Sequence, residues 1–108
     1  MVSHVLVVEP YADLRAGIVS VLQRIEYSCD AVGTVRDAVL RLHDHDYDYV
    51  VLDIDDPSAP MRDLVTSLDA HANLILITDR DPRELRAGDH AVLRKPFARE
   101  ELVAYFAH

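Results

Sequence analysis

The strongest constraint on the fold of this chain is a set of short apolar runs, rich in β-branched residues, each ending at a polar or turn residue. Such runs are too short for buried helices and are typical of strands. The four clearest runs are Val5–Val8, Tyr49–Ile54, Leu74–Ile77 and Ala91–Leu93. A weaker fifth run, Ser28–Val32, precedes Gly33. Nearly continuous apolar strands need cover on both faces, as in parallel sheets, so we expect helices to alternate with them.

Apolar residues recur at helical spacing between these runs. Asp13 opens the first predicted helix, and Thr34 resembles the cap of the second. A third helix carries its apolar face on Met61, Leu64, Val65 and Leu68. Pro82 and Gly88 bracket a short fourth helix of barely two turns, and the last begins near Arg99. The alternation predicts an α/β fold, a doubly wound (βα)5 domain whose five-stranded parallel sheet has the flavodoxin-like order 2-1-3-4-5.

Length and charge limit what such a fold can do. The 108 residues suit a single domain, 1–108, and the formal net charge is −8. A chain this acidic repels phosphate backbones, so we expect protein or cation partners, no direct nucleic-acid binding and no membrane binding. The single cysteine cannot form an internal disulfide, and the sequence contains no basic leader and no long apolar run. We therefore expect a cytoplasmic protein.

Chemistry in an open parallel sheet gathers beyond the carboxyl ends of its strands, where the strand order reverses. Strand one ends at Glu9, strand three at Asp53, strand four at Thr78 and strand five just before Lys95. Lys95 is also the only lysine in the chain. A carboxylate that attacks a phosphoryl group needs a divalent cation, a lysine and a hydroxyl to hold the phosphoryl oxygens. The sequence predicts that the carboxylates, the lysine and the hydroxyl all lie at one edge of the sheet.

These residues resemble the receiver domains of two-component response regulators. The resemblance covers the whole chain and is carried, in order, by Val7-Val8-Glu9, by Tyr47–Asp53 with Pro57 four residues past the acid, by Thr78 and by Lys95-Pro96-Phe97. It implies a signalling module and not an enzyme. A histidine kinase or phosphotransfer protein would supply the phosphoryl group, and a downstream protein partner would receive the signal.

The resemblance also assigns roles to individual residues. Asp53 is the phosphoacceptor, and Thr78 and Lys95 contact the phosphoryl group. Glu9 and Asp53 belong to an acidic pocket for Mg²⁺, to which Asp55 contributes its backbone carbonyl.

Three departures mark the chain as an atypical receiver. Receivers usually carry two acids after strand one, and here Pro10 replaces the second, which typically touches the metal. Val92 stands where an aromatic switch residue is usual, and Asp79 where a small residue is usual. With one carboxylate fewer, we expect weak Mg²⁺ binding. The side chain of Asp55 or Asp56 is the candidate replacement ligand.

Two other functions compete with a phosphorylated receiver. A degenerate receiver could act as a phosphorylation-independent protein-interaction module, and metal affinity separates this case from the first. Asp53-Ile54-Asp55 with Thr78 and Lys95 also resembles the first motifs of haloacid-dehalogenase-type phosphatases. Those enzymes are usually longer and need an acidic pair on a later strand, whereas only Glu100 and Glu101 follow Lys95. Oligomeric state does not follow from the sequence.

Overall fold

The computed structural model of the chain describes residues 3–55, 59–69, 72–84 and 90–106. All five predicted strands are present and form one parallel sheet in the order β2-β1-β3-β4-β5. The strands are β1 His4–Val8, β2 Ser28–Val32, β3 Tyr49–Asp53, β4 Asn73–Thr78 and β5 Ala91–Arg94. The predicted fold class and strand order are therefore confirmed.

Helices connect the first four strands in turn, and the last helix follows β5, as the apolar spacing predicts. They are α1 Ala12–Arg24, α2 Val35–Asp44, α3 Ala59–Asp69 and α4 Arg99–Val103. None of the helices in the described part of the chain has the length and apolar character needed to cross a membrane.

The helix starts differ in how well sequence predicted them. The backbone N–H of Asp37 donates to Thr34 Oγ1 over 3.1 Å, which confirms Thr34 as the cap of α2. Asp13 does not open α1. That helix begins at Ala12, and Asp13 lies within its first turn, where a carboxylate interacts favourably with the helix dipole.

The segment of the fourth predicted helix is described only at its start. Pro82–Glu84 form a single 3₁₀ turn, in which the Glu84 backbone N–H donates to the Asp81 carbonyl. Gly88, the predicted end of this helix, lies outside the described residues, so the two-turn helix predicted there stays a prediction.

The sheet buries alternate residues of each strand on opposite faces. On β1, Leu6 and Val8 pack with α2 and α3, whereas Val5 and Val7 pack with α1 and α4. The strands between the edges repeat this alternation, because successive side chains of a strand point to opposite sides. The first face comprises Leu6, Val8, Val50, Leu52, Leu74 and Leu76, and the second Val5, Val7, Val51, Ile75, Ile77 and Leu93. Cover on both faces explains why these strands read as continuous apolar runs.

Hydrogen bonding continues past the carboxyl ends of the strands. Glu9 N–H donates to the Val32 carbonyl, and Lys95 N–H donates to the Thr78 carbonyl over 2.7 Å. These bonds fix the backbone of the first residue beyond β1 and beyond β5. Both side chains therefore leave the sheet at one edge, as the topology predicts.

Candidate functional site

Lys95 joins two acids at the carboxyl edge of the sheet. Its Nζ lies 2.5 Å from Asp53 Oδ2 and 2.5 Å from Glu9 Oε1, and only 8% of its side chain is exposed. The ring of Tyr11 lies beside the same ammonium, 5.3 Å from Nζ to the ring centroid. The contacts with the two carboxylates raise the pKa of Lys95 although its own burial acts in the opposite direction. The single lysine is thus held charged between two strand-end carboxylates.

Glu9 is completely buried at this edge. Its Oε2 accepts a hydrogen bond from the Tyr11 backbone N–H over 2.9 Å, and its Oε1 pairs with the Lys95 ammonium. Burial raises the pKa of Glu9, and the contact with Lys95 offsets part of this rise. Burying a carboxylate in an apolar core is costly unless a cation pairs with it, so this buried ion pair marks Glu9 as part of a charged site.

Arg15 fixes the backbone that carries Glu9. Its Nη1 donates to the Glu9 carbonyl over 2.8 Å, and the guanidinium lies against Gly33. A Cβ on Gly33 would come within 2.9 Å of that nitrogen. A side chain at Gly33 would therefore displace the guanidinium from the Glu9 carbonyl.

Asp53 and Asp55 are linked through the turn that follows β3. Asp53 is 6% exposed, and its Oδ1 accepts the Asp55 backbone N–H over 2.8 Å while Oδ2 contacts Lys95. Asp53 thus has one oxygen on a backbone amide and the other on an ammonium. The predicted phosphoacceptor and the predicted phosphate-binding lysine are in direct contact.

The Asp55 side chain turns toward β4. Its Oδ1 accepts the Thr78 hydroxyl over 2.5 Å, its Oδ2 accepts the Asp79 backbone N–H over 2.8 Å, and Arg80 Nε lies 3.6 Å from Oδ1. Partial burial works against ionisation of Asp55. These hydrogen bonds, with the positive charges of Lys95 and Arg80, outweigh it and lower the pKa of Asp55. Asp55 is therefore a well-stabilised carboxylate.

A cleft of about 340 Å³ opens beside Asp53 and Asp55. Pro10 and Tyr11 line it from the β1 side, and Asp79 lines it from the end of β4. Pro10 is exposed and contributes no carboxylate, as the sequence indicates. The cleft gives a ligand access to the Asp53 side chain, the predicted phosphoacceptor.

The donor set suits a hard cation only in part. Buried carboxylate oxygens of Glu9 and Asp53, with the carbonyl of Asp55, are the kind of ligand that Mg²⁺ prefers. Both carboxylates face Lys95, however, and no group of three or more His, Cys, Asp or Glu side chains within the described ranges is arranged to hold a metal. A cation would have to share these carboxylates with the ammonium.

Of the two remaining departures, Val92 lies apart from the charged side chains of the site, whereas Asp79 lines the cleft. Val92 pairs with Leu76 across β4 and β5 and packs, half-buried, on the face covered by α2 and α3. Asp79 is exposed and contributes its backbone amide. Sequence reasoning missed four contributions: the Tyr11 amide and ring, the Arg15 guanidinium, the Asp79 amide and the Arg80 guanidinium. The first two follow strand one closely and the last two follow strand four, so proximity to a strand end was the available signal.

Comparison with solved structures identifies the architecture. The chain superposes on the chemotaxis response regulator CheY4 of Vibrio cholerae with a TM-score of 0.86 at 19% identity, covering 98% of this chain and 97% of that one. A response regulator receiver protein from Burkholderia phymatum gives a TM-score of 0.82 at 26% identity, covering 96% and 91%. A response regulator from Thermotoga maritima gives 0.83 at 15% identity, covering 98% and 95%.

Sequence comparison alone gives no such link, because no family model and no curated protein matches the chain. Each of the three superpositions covers nearly all of both chains, and the strand order of this chain is the flavodoxin-like one. The resemblance inferred from the motifs is therefore confirmed at the level of architecture: the chain has the fold of a CheY-like response regulator receiver domain.

Proposed function

We propose that the chain is a receiver of two-component signalling, a single domain over 1–108 that accepts a phosphoryl group on Asp53. The observation that carries this proposal is the buried contact of Lys95 with Asp53 and Glu9, because an ammonium beside a strand-end carboxylate neutralises the charge that an incoming phosphoryl group brings. Asp53 also borders the cleft, so a donor can approach it.

The reaction proposed is transfer from a phosphohistidine of a kinase or phosphotransfer protein. An Asp53 carboxylate oxygen attacks phosphorus, the bond from phosphorus to the imidazole nitrogen breaks, and the imidazole leaves with a proton from solvent. Lys95 stabilises charge on the transferred oxygens, and Thr78 supplies a hydroxyl at the same edge. The acyl phosphate would then be recognised by a downstream protein.

Mg²⁺ is the cofactor proposed for this site. Glu9, Asp53 and the carbonyl of Asp55 would hold it, and it would supply further neutralisation of phosphoryl oxygens. Weak affinity is expected, since Pro10 provides no carboxylate and Lys95 already contacts both acids.

The test is incubation with a small phosphodonor and Mg²⁺, followed by intact-mass analysis. The wild-type chain is expected to gain the mass of one phosphoryl group, and the Asp53→Asn variant none. Asp63→Asn is the matched control, because Asp63 is an exposed acid on α3 and its loss should leave labelling unchanged. A phosphoryl mass that persists in Asp53→Asn would refute the assignment.

A phosphorylation-independent interaction module is the second candidate. The observation in its favour is that three carboxylates at the edge already have partners: Glu9 and Asp53 contact Lys95, and Asp55 accepts from Thr78 and Asp79. Such a module needs neither metal nor phosphodonor. Absence of both Mg²⁺ binding and labelling in a folded wild-type chain would favour it.

A further inference from the structure

The side chain of Asp55 occupies the donors at the end of β4. One carboxylate satisfies the Thr78 hydroxyl through Oδ1 and the Asp79 backbone N–H through Oδ2, and the Arg80 guanidinium lies 3.6 Å from Oδ1. A hydroxyl, a backbone amide and a cation converging on two oxygens make an arrangement that binds oxyanions. The anion bound there is part of the chain itself.

The Thr78 hydroxyl and the Asp79 amide each have a single proton, and Asp55 accepts both. The Thr78 hydroxyl carries one proton, and the residue is fully buried, so the hydroxyl cannot turn to bulk water. Its oxygen in turn accepts the Arg80 backbone N–H over 3.0 Å. The Asp79 N–H likewise has a single proton, directed at Asp55. A second anion can use these groups only after the carboxylate leaves.

The anion position adjoins the phosphoacceptor. The Asp55 backbone N–H donates to Asp53 Oδ1, and both aspartates line the same cleft. Thr78 is also the residue whose hydroxyl is expected to hold a phosphoryl oxygen on Asp53. The Asp55 carboxylate and that phosphoryl oxygen would therefore accept a hydrogen bond from the same hydroxyl.

We propose that the Asp55 carboxylate is an internal anion that fills the phosphoryl-oxygen position beside Asp53 and competes with any oxyanion that enters. Naming the competitor as a phosphoryl group rests on the proposed function, whereas occupation of the position by Asp55 does not. The residue limits access in two ways, since it takes up the Thr78 and Asp79 donors and adds a negative charge where an anion must bind.

The opposite role is that the Asp55 side chain completes a cation site. The two roles predict opposite effects of removing it. Loss of an internal competitor strengthens anion binding, whereas loss of a cation ligand weakens whatever depends on the cation.

Inorganic phosphate, without metal, is the direct probe. The ¹⁵N-labelled Asp55→Ala chain is titrated with phosphate while the amide signal of Asp79 is followed, with wild type and Asp63→Ala as matched controls. A saturable shift with at least tenfold tighter affinity in Asp55→Ala than in both controls is expected. Equal affinity in all three chains, or no saturable shift in any of them, would overturn the proposal.

The milder variant Asp55→Asn guards against loss of folding. It keeps the size of the side chain and removes its charge, so a smaller gain of about threefold in phosphate affinity is expected from the relief of repulsion. If Asp55→Ala does not fold, an affinity of Asp55→Asn no tighter than that of wild type counts against the proposal.

Covalent labelling separates this proposal from the proposed function. If Asp55→Ala gains phosphoryl mass faster than wild type, both stand. If wild type is labelled and Asp55→Ala is labelled no faster, the competitor role is wrong and the receiver function stands. If phosphate shifts the Asp79 amide in Asp55→Ala but no chain is ever labelled, the anion position stands and phosphoryl acceptance fails.

Discussion

Glu9 and Lys95 form an ion pair that is almost completely removed from solvent, with 2.5 Å between Oε1 and Nζ and side chains that are 0% and 8% exposed. Removing one partner from such a pair leaves a buried charge without compensation. Here the loss of Lys95 would leave two carboxylates, because Asp53 contacts the same ammonium. Substitutions at this edge are therefore expected to change stability through the buried charges that they leave unpaired.

Lys95→Met is expected to lower the free energy of unfolding by about 3–5 kcal/mol, the usual cost of breaking a buried charge pair. Urea denaturation monitored by circular dichroism measures this loss. Arg62→Met, at an exposed position on α3, is the control and is expected to change the free energy by less than about 0.5 kcal/mol.

The double variant Glu9→Gln with Lys95→Met tests the pairing itself. Lys95→Met leaves two carboxylates without a cation, and Glu9→Gln removes one of them. The loss in free energy of unfolding for the double variant is therefore expected to be smaller than the sum of the single losses by about 1 kcal/mol or more. Additive losses would show that the two side chains do not stabilise each other.

Pro10→Asp is expected to tighten Mg²⁺ binding. Pro10 lines the cleft beside Asp53, and a carboxylate there adds an anionic oxygen ligand where the chain has none. Calorimetric titration of both chains with Mg²⁺ gives the two affinities, and we expect about tenfold tighter binding in the variant. Equal and tight affinity in both would mean that acids already present complete the site.

Stability is expected to fall at alkaline pH through Tyr47. Burial, followed by the hydrogen bond of its hydroxyl to Asp30 and the charge of Asp30, raises the pKa of Tyr47 from 10.0 to about 12. A group with a raised pKa binds more protons in the folded chain, so its contribution is fully present below pH 10 and is lost as the pH rises through 12. The loss is of order 2 kcal/mol.

Urea denaturation of wild type and Tyr47→Phe between pH 9 and about pH 12 checks this. The variant has no phenol to ionise, so its free energy of unfolding should decline less steeply, while Cys29 contributes equally to both chains. Parallel curves would show that Tyr47 ionises as freely as in the unfolded chain.

Cys29 is expected to react slowly with thiol reagents. It lies half-buried on β2, and burial, with a smaller effect of Asp30, raises the pKa of its thiol to about 11. Because only the thiolate reacts, thiol–disulfide exchange at pH 7.5 should be about 100-fold slower than that of a free cysteine. A chromogenic disulfide reagent measures the rate, with the urea-unfolded chain as reference. Equal rates before and after unfolding would contradict the prediction.

Burial made the sheet predictable. Apolar runs such as Val5–Val8 must be covered on both faces, and that requirement predicts the alternation with helices. Right-handed crossovers on both faces then favour a doubly wound sheet, and the observed order 2-1-3-4-5 is one of the common ones. The same topology brings Glu9, Asp53, Thr78 and Lys95 to one edge, and the structure places all four there. The residues that the ends of the strands position could therefore be predicted from the sequence.

Side-chain direction did not follow in the same way. Nothing in the pattern indicates that the Asp55 carboxylate turns toward Thr78, because a turn residue after a strand has several rotamers and the choice depends on donors from another strand. Tyr11 escaped notice for a similar reason, since its contact with Lys95 exists only after β1 and β5 are part of one sheet. The contact of Arg15 with the Glu9 carbonyl is local, but it depends on the path of the chain between β1 and α1.

The buried cluster of Glu9, Asp53 and Lys95 has a consequence for how this chain can change over evolutionary time. Three apolar side chains of similar volume would often stabilise such an edge as well as three charges, or better. The route between the two states is nevertheless steep at Lys95, because its replacement leaves two buried carboxylates without compensation and costs about 3–5 kcal/mol, a large part of the stability of a typical domain. Replacement of Glu9 or Asp53 alone leaves the lysine paired with the other acid. Lys95 is therefore expected to persist for as long as both acids do, even in a lineage where the edge no longer receives a phosphoryl group.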